Sequence, residues 1–237
     1  MFRRYLSIMK TKVFTQARVS RQDIIKVDDL EAESHAVKLL NAGGIIALPT
    51  DTIYGIACDA TNVTAISKLY SVKCRNENKP LAICLGEVKD LKNWAVVNHL
   101  PKDLLSNLLP GPVTLLLESA NDTLDKSLIH QGKIGIRIPD YKFIRTLANG
   151  VHKPLALTSA NLSTQPSSVR IEEFIVIWNK LDAVFDGGCL NISDKSRNGS
   201  TIVDLSEKGF YSIVRDGMAL DKTCKILHQF GLGLSLN

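Results

Sequence analysis

The sequence predicts an α/β protein built on one mixed sheet flanked by helices. Three observations lead there. Short apolar runs that stop at Pro or Gly alternate along the chain with longer amphipathic stretches, the pattern of strands and helices in turn. The stretch 184–214 is rich in strand signals, so antiparallel pairs join any parallel ones. Apolar residues make up 45% of the 237, enough for a sizeable core.

The elements follow in order. Asp28 and Asp29 can cap a helix running to about Asn41, with Leu30, Val37 and Leu40 on one side. Gly43-Gly44 ends it in a left-handed turn. Residues 45–48 form a short buried strand that Pro49 stops. Helical spacing through Ile66, Leu69 and Tyr70 predicts a helix over 62–72, and a strand follows at 81–85. Pro101 starts a helix that ends before Pro110-Gly111-Pro112. Residues 113–117 and 134–138 are strands, and the polar stretch 119–132 between them reads as a mobile loop. A helix over 141–148 ends at Asn149-Gly150, and 155–157 is again a strand. Ser168 can cap an apolar-faced helix over 171–181. Residues 184–185, 201–205 and 211–214 read as strands, 219–230 as the last helix, and Gly231-Leu232-Gly233 as a frayed end. No repeat and no second domain boundary is visible, so residues 23–237 are expected to form a single catalytic domain.

The formal charge of +5 is unevenly placed. Residues 1–22 hold Arg3, Arg4, Lys10, Lys12, Arg18 and Arg21 and no acid. The other 23 basic residues face 24 acidic ones, a net of −1. A near-neutral body argues against a protein that coats polyanions. The acid-free amphipathic leader reads as a mitochondrial presequence, with a basic tail or a surface-binding helix as alternatives. A mitochondrial or cytoplasmic location, or both, is expected. No apolar run reaches the length of a transmembrane helix. The five cysteines form no C-x-x-C pair and the five histidines lack ligand spacing, so free thiols and no protein-built metal site are expected.

Polar sets cluster where strands end, which is where ligands gather in open α/β sheets. They are Thr50-Asp51-Thr52, the cations Lys73, Arg75 and Lys79, then Arg137, the pair Ser159 and Asn161, and Arg215. If they converge, the site suits a nucleotide triphosphate plus a small carboxylate, handled by positioning and charge neutralisation. Each set has a plainer reading. Lys73 and Arg75 suit a solvated helix C-terminus equally well. Thr50, Thr52, Ser159 and Asn161 can simply satisfy turns. An Arg137 that points inward from an apolar strand requires a ligand or an acidic partner, and one that points outward requires neither. The turns 186–188 and 198–200 could offer backbone amides to an anion, though hairpin turns are the commoner use. No Walker loop, dinucleotide fingerprint or nucleophile elbow is present.

Taken together, these motifs resemble the YrdC-domain family. Pro49-Thr50-Asp51-Thr52-Ile53-Tyr54-Gly55 resembles its opening signature. Lys73-Cys74-Arg75 with Lys79-Pro80-Leu81, Pro110-Gly111-Pro112-Val113-Thr114 and Gly135-Ile136-Arg137-Ile138-Pro139 continue it. Ser159-Ala160-Asn161, Asn198-Gly199-Ser200-Thr201-Ile202-Val203-Asp204 and Val214-Arg215-Asp216-Gly217 complete it. The resemblance covers about residues 25–220 and is closest to the single-domain animal form. It implies a twisted open sheet with a large, positively lined concavity. The activity implied joins L-threonine, bicarbonate and ATP, with Mg²⁺, into L-threonylcarbamoyladenylate and pyrophosphate. A partner threonylcarbamoyl-transferase complex would carry the group to adenosine 37 of tRNA, so contact with tRNA is indirect and any direct RNA contact weak. Lys73, Arg75, Ser159 and Asn161 are implied near the phosphates, and Lys79, Ser167 and Arg215 also on ATP. Thr52, Arg137, the Leu157 backbone and Ser200 are implied around threonine. Cys84 stands where some members have a histidine, and Gly199 where some have a glutamate. Two alternatives remain: another carbamoyl-adenylate-forming enzyme, and a non-catalytic module that binds structured RNA.

Overall fold

A computed structural model describes residues 24–73, 81–120, 123–163, 165–190 and 196–235. The leader at 1–22 lies outside them. The strands are β1 (Ile24–Lys26), β2 (Ile46–Leu48), β3 (Gly55–Asp59), β4 (Ala82–Cys84), β5 (Val113–Glu118) and β6 (Ile129–His130). They continue with β7 (Lys133–Arg137), β8 (Leu155–Ser159), β9 (Ala183–Asp186), β10 (Thr201–Asp204), β11 (Phe210–Arg215) and β12 (Gly233–Leu234). Helices are α1 (Ala32–Asn41), α2 (Val63–Lys73), α3 (Leu104–Leu108), α4 (Lys142–Val151) and α5 (Leu220–Gln229).

The strands join in one mixed sheet in the order β1-β9-β2-β3-β8-β4-β7-β5-β10-β11-β12, with β6 paired beside β7. Pairs β2–β3, β3–β8, β4–β8 and β5–β7 are antiparallel, whereas β2–β9, β4–β7 and β5–β10 are parallel. Strand alternation then decides what each face meets. Ile83, Leu115, Ile134, Ile136, Ala156 and Val203 point to one face, into a core that includes Ile66 and Leu69 of α2, Leu104 of α3 and Leu227 of α5. On the other face, α1 and α4 bury Ala32, Ala36, Leu40, Phe143, Ile144 and Leu147 against Leu48, Ala57, Leu155 and Phe185. That second core stops at β8 and Cys84. Beyond it, the face formed by Ala82, Gly135, Arg137, Thr114, Leu116, Ile202 and Asp204 borders a cavity.

Several elements differ from expectation. Helix α1 starts at Ala32 because the Asp29 carboxylate accepts the Lys26 N–H (3.2 Å) and closes the end of β1 instead; Leu30 is fully exposed. Strand β3 had no alternating signal, since all five of its residues are buried. Residues 171–180 are 3₁₀ turns broken at Phe174, whose ring packs beside Tyr54 with centroids 5.6 Å apart. Ser168 does not cap them; its hydroxyl donates to Ala160 O (3.2 Å), while Glu173 accepts the Val169 N–H (2.9 Å). The stretch 123–132 is not a free loop. It buries Leu124 and Leu128 and pairs β6 with β7. Helix α4 runs on to Val151 and stops at left-handed His152. The expected frayed end is strand β12, parallel to β11, with Leu232 buried beside it.

Candidate active site

The cavity has a volume of about 530 Å³, within the range that small-molecule sites occupy. Its first pole grows from the turn after β2. The Thr50 hydroxyl accepts the Thr52 and Ile53 N–H groups (3.2 and 3.3 Å) and donates to Ile53 O (2.7 Å), which locks the turn. Arg137, last residue of β7, reaches that turn. Its Nη2 donates to Thr52 Oγ1 (2.6 Å), Asp51 Oδ1 (2.6 Å) and Thr50 Oγ1 (3.3 Å). So Arg137 faces inward, and the acidic partner that an inward arginine requires is Asp51. Its Nε is buried without a partner among the described residues. Thr50 and Arg137 line the cavity, while Thr52 is wholly buried beside them.

A second group sits where β10 begins. Ser200 Oγ lies 2.7 Å from Thr114 Oγ1 of β5. Arg215, at the end of β11, donates through Nη2 to Ser200 O (2.7 Å) and Ser200 Oγ (3.0 Å). Left-handed Gly199 (φ 68°) lets the backbone turn there beneath the guanidinium. Ser200 and Arg215 both line the cavity.

The third group joins α2 to the end of β8. Lys73 is almost completely buried, and its ammonium lies under the turn that follows β8. It donates to Ser159 O (2.7 Å), Ser159 Oγ (3.3 Å), Asn161 Oδ1 (3.1 Å) and Asn161 O. Asn161 Nδ2 in turn donates to Leu162 O (3.0 Å) and Gln165 O (2.5 Å). Ser159, Leu157 and Ser167 line the cavity; Lys73 and Asn161 stand behind them. Arg75 and Lys79 lie outside the described residues. Cys84 pairs across the sheet with Arg137, and burial pushes its thiol up to about 12, so it stays protonated.

Sequence reasoning passed over several lining residues. Lys133 pairs with Asp204 (2.6 Å), and both border the cavity with His130 and Gln131. A signal existed: Lys133, Gly135 and Arg137 alternate along β7 and must share a face. Tyr54 also lines it, donating to Gly188 O (2.7 Å) and accepting the Gly187 N–H (2.9 Å). Burial raises this phenol well above its ordinary range, so it is neutral. With the Gly188 N–H on Asp186 Oδ1 (2.8 Å), both amides of the 186–188 turn are engaged internally. No cluster of three metal-ligating side chains occurs among the described residues, and no helix there is long and apolar enough to cross a membrane.

The Sua5_yciO_yrdC family model, described as Telomere recombination, matches residues 38–217. The chain belongs to the Sua5/YciO/YrdC family. A curated relative in Bos taurus, Threonylcarbamoyl-AMP synthase, is 48% identical over 85% of this chain and 74% of its own length. A Putative threonylcarbamoyl-AMP synthase of Methanocaldococcus jannaschii is 35% identical over 84% of this chain and 94% of its own. Among solved structures, P. abyssi Sua5 complexed with L-threonine superposes with a TM-score of 0.78 at 24% identity. That match covers 90% of this chain but only 62% of the P. abyssi chain, and it establishes the shared fold. The open mixed sheet with flanking helices is thus the family's sheet.

Proposed function

We propose that this chain is a threonylcarbamoyl-AMP synthase: L-threonine, bicarbonate and ATP yield L-threonylcarbamoyladenylate, pyrophosphate and water. The observation that carries this reading is the 48% identity to a synthase across 85% of the chain. The cavity's chemistry agrees with it. Arg137 supplies a guanidinium charge for the amino acid's carboxylate, with Thr52 on it, and Ser200 lines the same cavity. Ser159, Ser167 and Arg215 offer hydroxyls and charge to phosphates; Arg75 of the K-x-R motif and Lys79, which lie outside the described residues, are proposed to act on the same phosphates. Threonine's amine takes up the bicarbonate carbon with loss of water. The resulting N-carboxylate attacks the α-phosphorus of ATP, and pyrophosphate departs with the bonding electron pair. No covalent enzyme intermediate is required, so positioning and charge neutralisation carry the rate. Mg²⁺ would travel with the nucleotide's own phosphate oxygens, since no carboxylate cluster among the described residues is arranged to hold it.

The adenylate is an activated acyl donor. We infer that it is passed to a threonylcarbamoyl-transferase complex acting on adenosine 37 of tRNA. The acid-free leader is proposed to direct at least part of the protein to mitochondria. Import of a leader-tagged reporter, lost when the six basic residues are neutralised, checks that point.

The deciding experiment is pyrophosphate release by the full chain with ATP and Mg²⁺, with and without L-threonine and bicarbonate. Release that requires both co-substrates is expected. Release indifferent to threonine overturns the reading. Arg75→Ala is expected to lower turnover on the order of 10²-fold if the guanidinium acts on the transition state.

A further inference from the structure

Arg137 is held in the cavity wall by the two threonine hydroxyls of the 50–52 turn and by one carboxylate. Asp51 Oδ1 accepts from Arg137 Nη2 at 2.6 Å, and Asp51 Oδ2 accepts the Asp140 N–H at 2.9 Å. Asp51 therefore ties the turn after β2 to the chain that leaves β7. Both charged side chains are 8% exposed, yet only Arg137 reaches the cavity. All three bonds to the 50–52 turn leave from Nη2. The Nε is buried and without a partner among the described residues, so what the residue offers the cavity is the rest of its guanidinium.

We propose that Asp51 is a positioning residue that fixes the orientation of the Arg137 guanidinium, so that its charge in the cavity wall is presented to the carboxylate of the bound amino acid. The proposal rests on the synthase reading above and adds to it the origin of carboxylate selectivity. An unheld arginine has several rotatable bonds and would lose that freedom on each binding event. Holding it by one nitrogen removes the cost in advance. The paired negative charge also lowers the desolvation penalty of keeping a guanidinium in the wall of a cavity. Asparagine cannot reproduce the lock. Its amide nitrogen would face either the Arg137 Nη2 or the Asp140 N–H, donor against donor.

The test compares binding of L-threonine and L-threoninamide, which lacks the carboxylate charge, to the full chain by calorimetry. Wild type is expected to prefer threonine at least tenfold. Asp51→Asn is expected to reduce that preference at least tenfold, with the KM for ATP changed less than twofold. Arg137→Gln should show the same loss of preference. A preference retained in Asp51→Asn overturns the proposal. So does an equal loss of threonine, threoninamide and ATP binding, which marks Asp51 as merely structural. If Asp51→Asn does not fold, Asp51→Glu is measured the same way: its displaced carboxylate should lower the preference, and an unchanged preference overturns the proposal. A wild-type chain that binds neither compound overturns the synthase reading itself, and the proposal with it, which separates the two failures.

Discussion

Lys73 shows what a single buried charge does for this site. Its ammonium has backbone and side-chain oxygens of Ser159 and Asn161 around it, so it holds the turn that presents Ser159 to the cavity. Replacing it with Met removes the donor from the buried Asn161 oxygens and the part-buried Ser159 ones, at about 1–3 kcal/mol for each group left buried and unsatisfied. Urea denaturation should show a loss on that order for Lys73→Met, and pyrophosphate release should fall with it. Lys73→Arg should not restore either, because a planar fork cannot meet oxygens that converge on one point. Unchanged stability in Lys73→Met would contradict this role. The sequence presented Lys73 as a cation near phosphates or at a solvated helix end. Its burial depends on a partner turn 86 residues further on, which no local pattern reveals. Arg137 was more legible. An arginine that points inward from an apolar strand needs a partner, but only the fold names Asp51 as that partner.

At the scale of elements, the loop between β11 and α5 is packed without a margin. A Cβ on Gly217 would lie 2.3 Å from the backbone carbon of Ser200 and from the Thr201 nitrogen. Gly217→Ala must therefore push β10 away from this loop and shift the Ser200 hydroxyl. The expected cost is about 1–3 kcal/mol of overpacking, together with a raised KM for threonine. Thermal unfolding and steady-state kinetics check both, and a variant with normal melting temperature and KM would contradict the packing argument. Most strands and helices were legible because Pro, Gly and apolar spacing are local signals. Strand β3 was not, since burial on both faces erases alternation. Residues 171–180 misled for another reason. Their helical spacing is real, but Phe174 leaves helical geometry where it packs against Tyr54.

For the molecule as a whole, four carboxylates among the described residues shape the response to acid: Glu173, lowered chiefly by the Arg197 hydrogen bond, and three aspartates. Burial alone would raise Asp59, Asp186 and Asp204, but it is outweighed by hydrogen bonds: from Lys153 and Thr61, from Lys26 and the Gly188 N–H, and from Lys133 and Ser206. All three are held below the ordinary 3.8. A group whose folded value is depressed stabilises fully above its unfolded value and loses that contribution as pH falls through the folded one. The urea midpoint should thus hold steady from pH 7 to about 5 and drop below about 4. Asp204→Asn should flatten that drop, and a midpoint that does not fall in acid would contradict the assignment. The chain by itself determined the α/β class, the order of most elements and the motifs that place it in its family, because these depend on neighbours in sequence. The tertiary structure decided the site. One half of a sheet face carries α1 and α4, while the other half, with Ala82, Gly135, Arg137, Thr114, Ile202 and Asp204, borders the cavity. Long-range pairing alone brings Asp51 to Arg137, Lys73 to Ser159 and Lys133 to Asp204, because burial and charge satisfaction are settled only when distant segments meet.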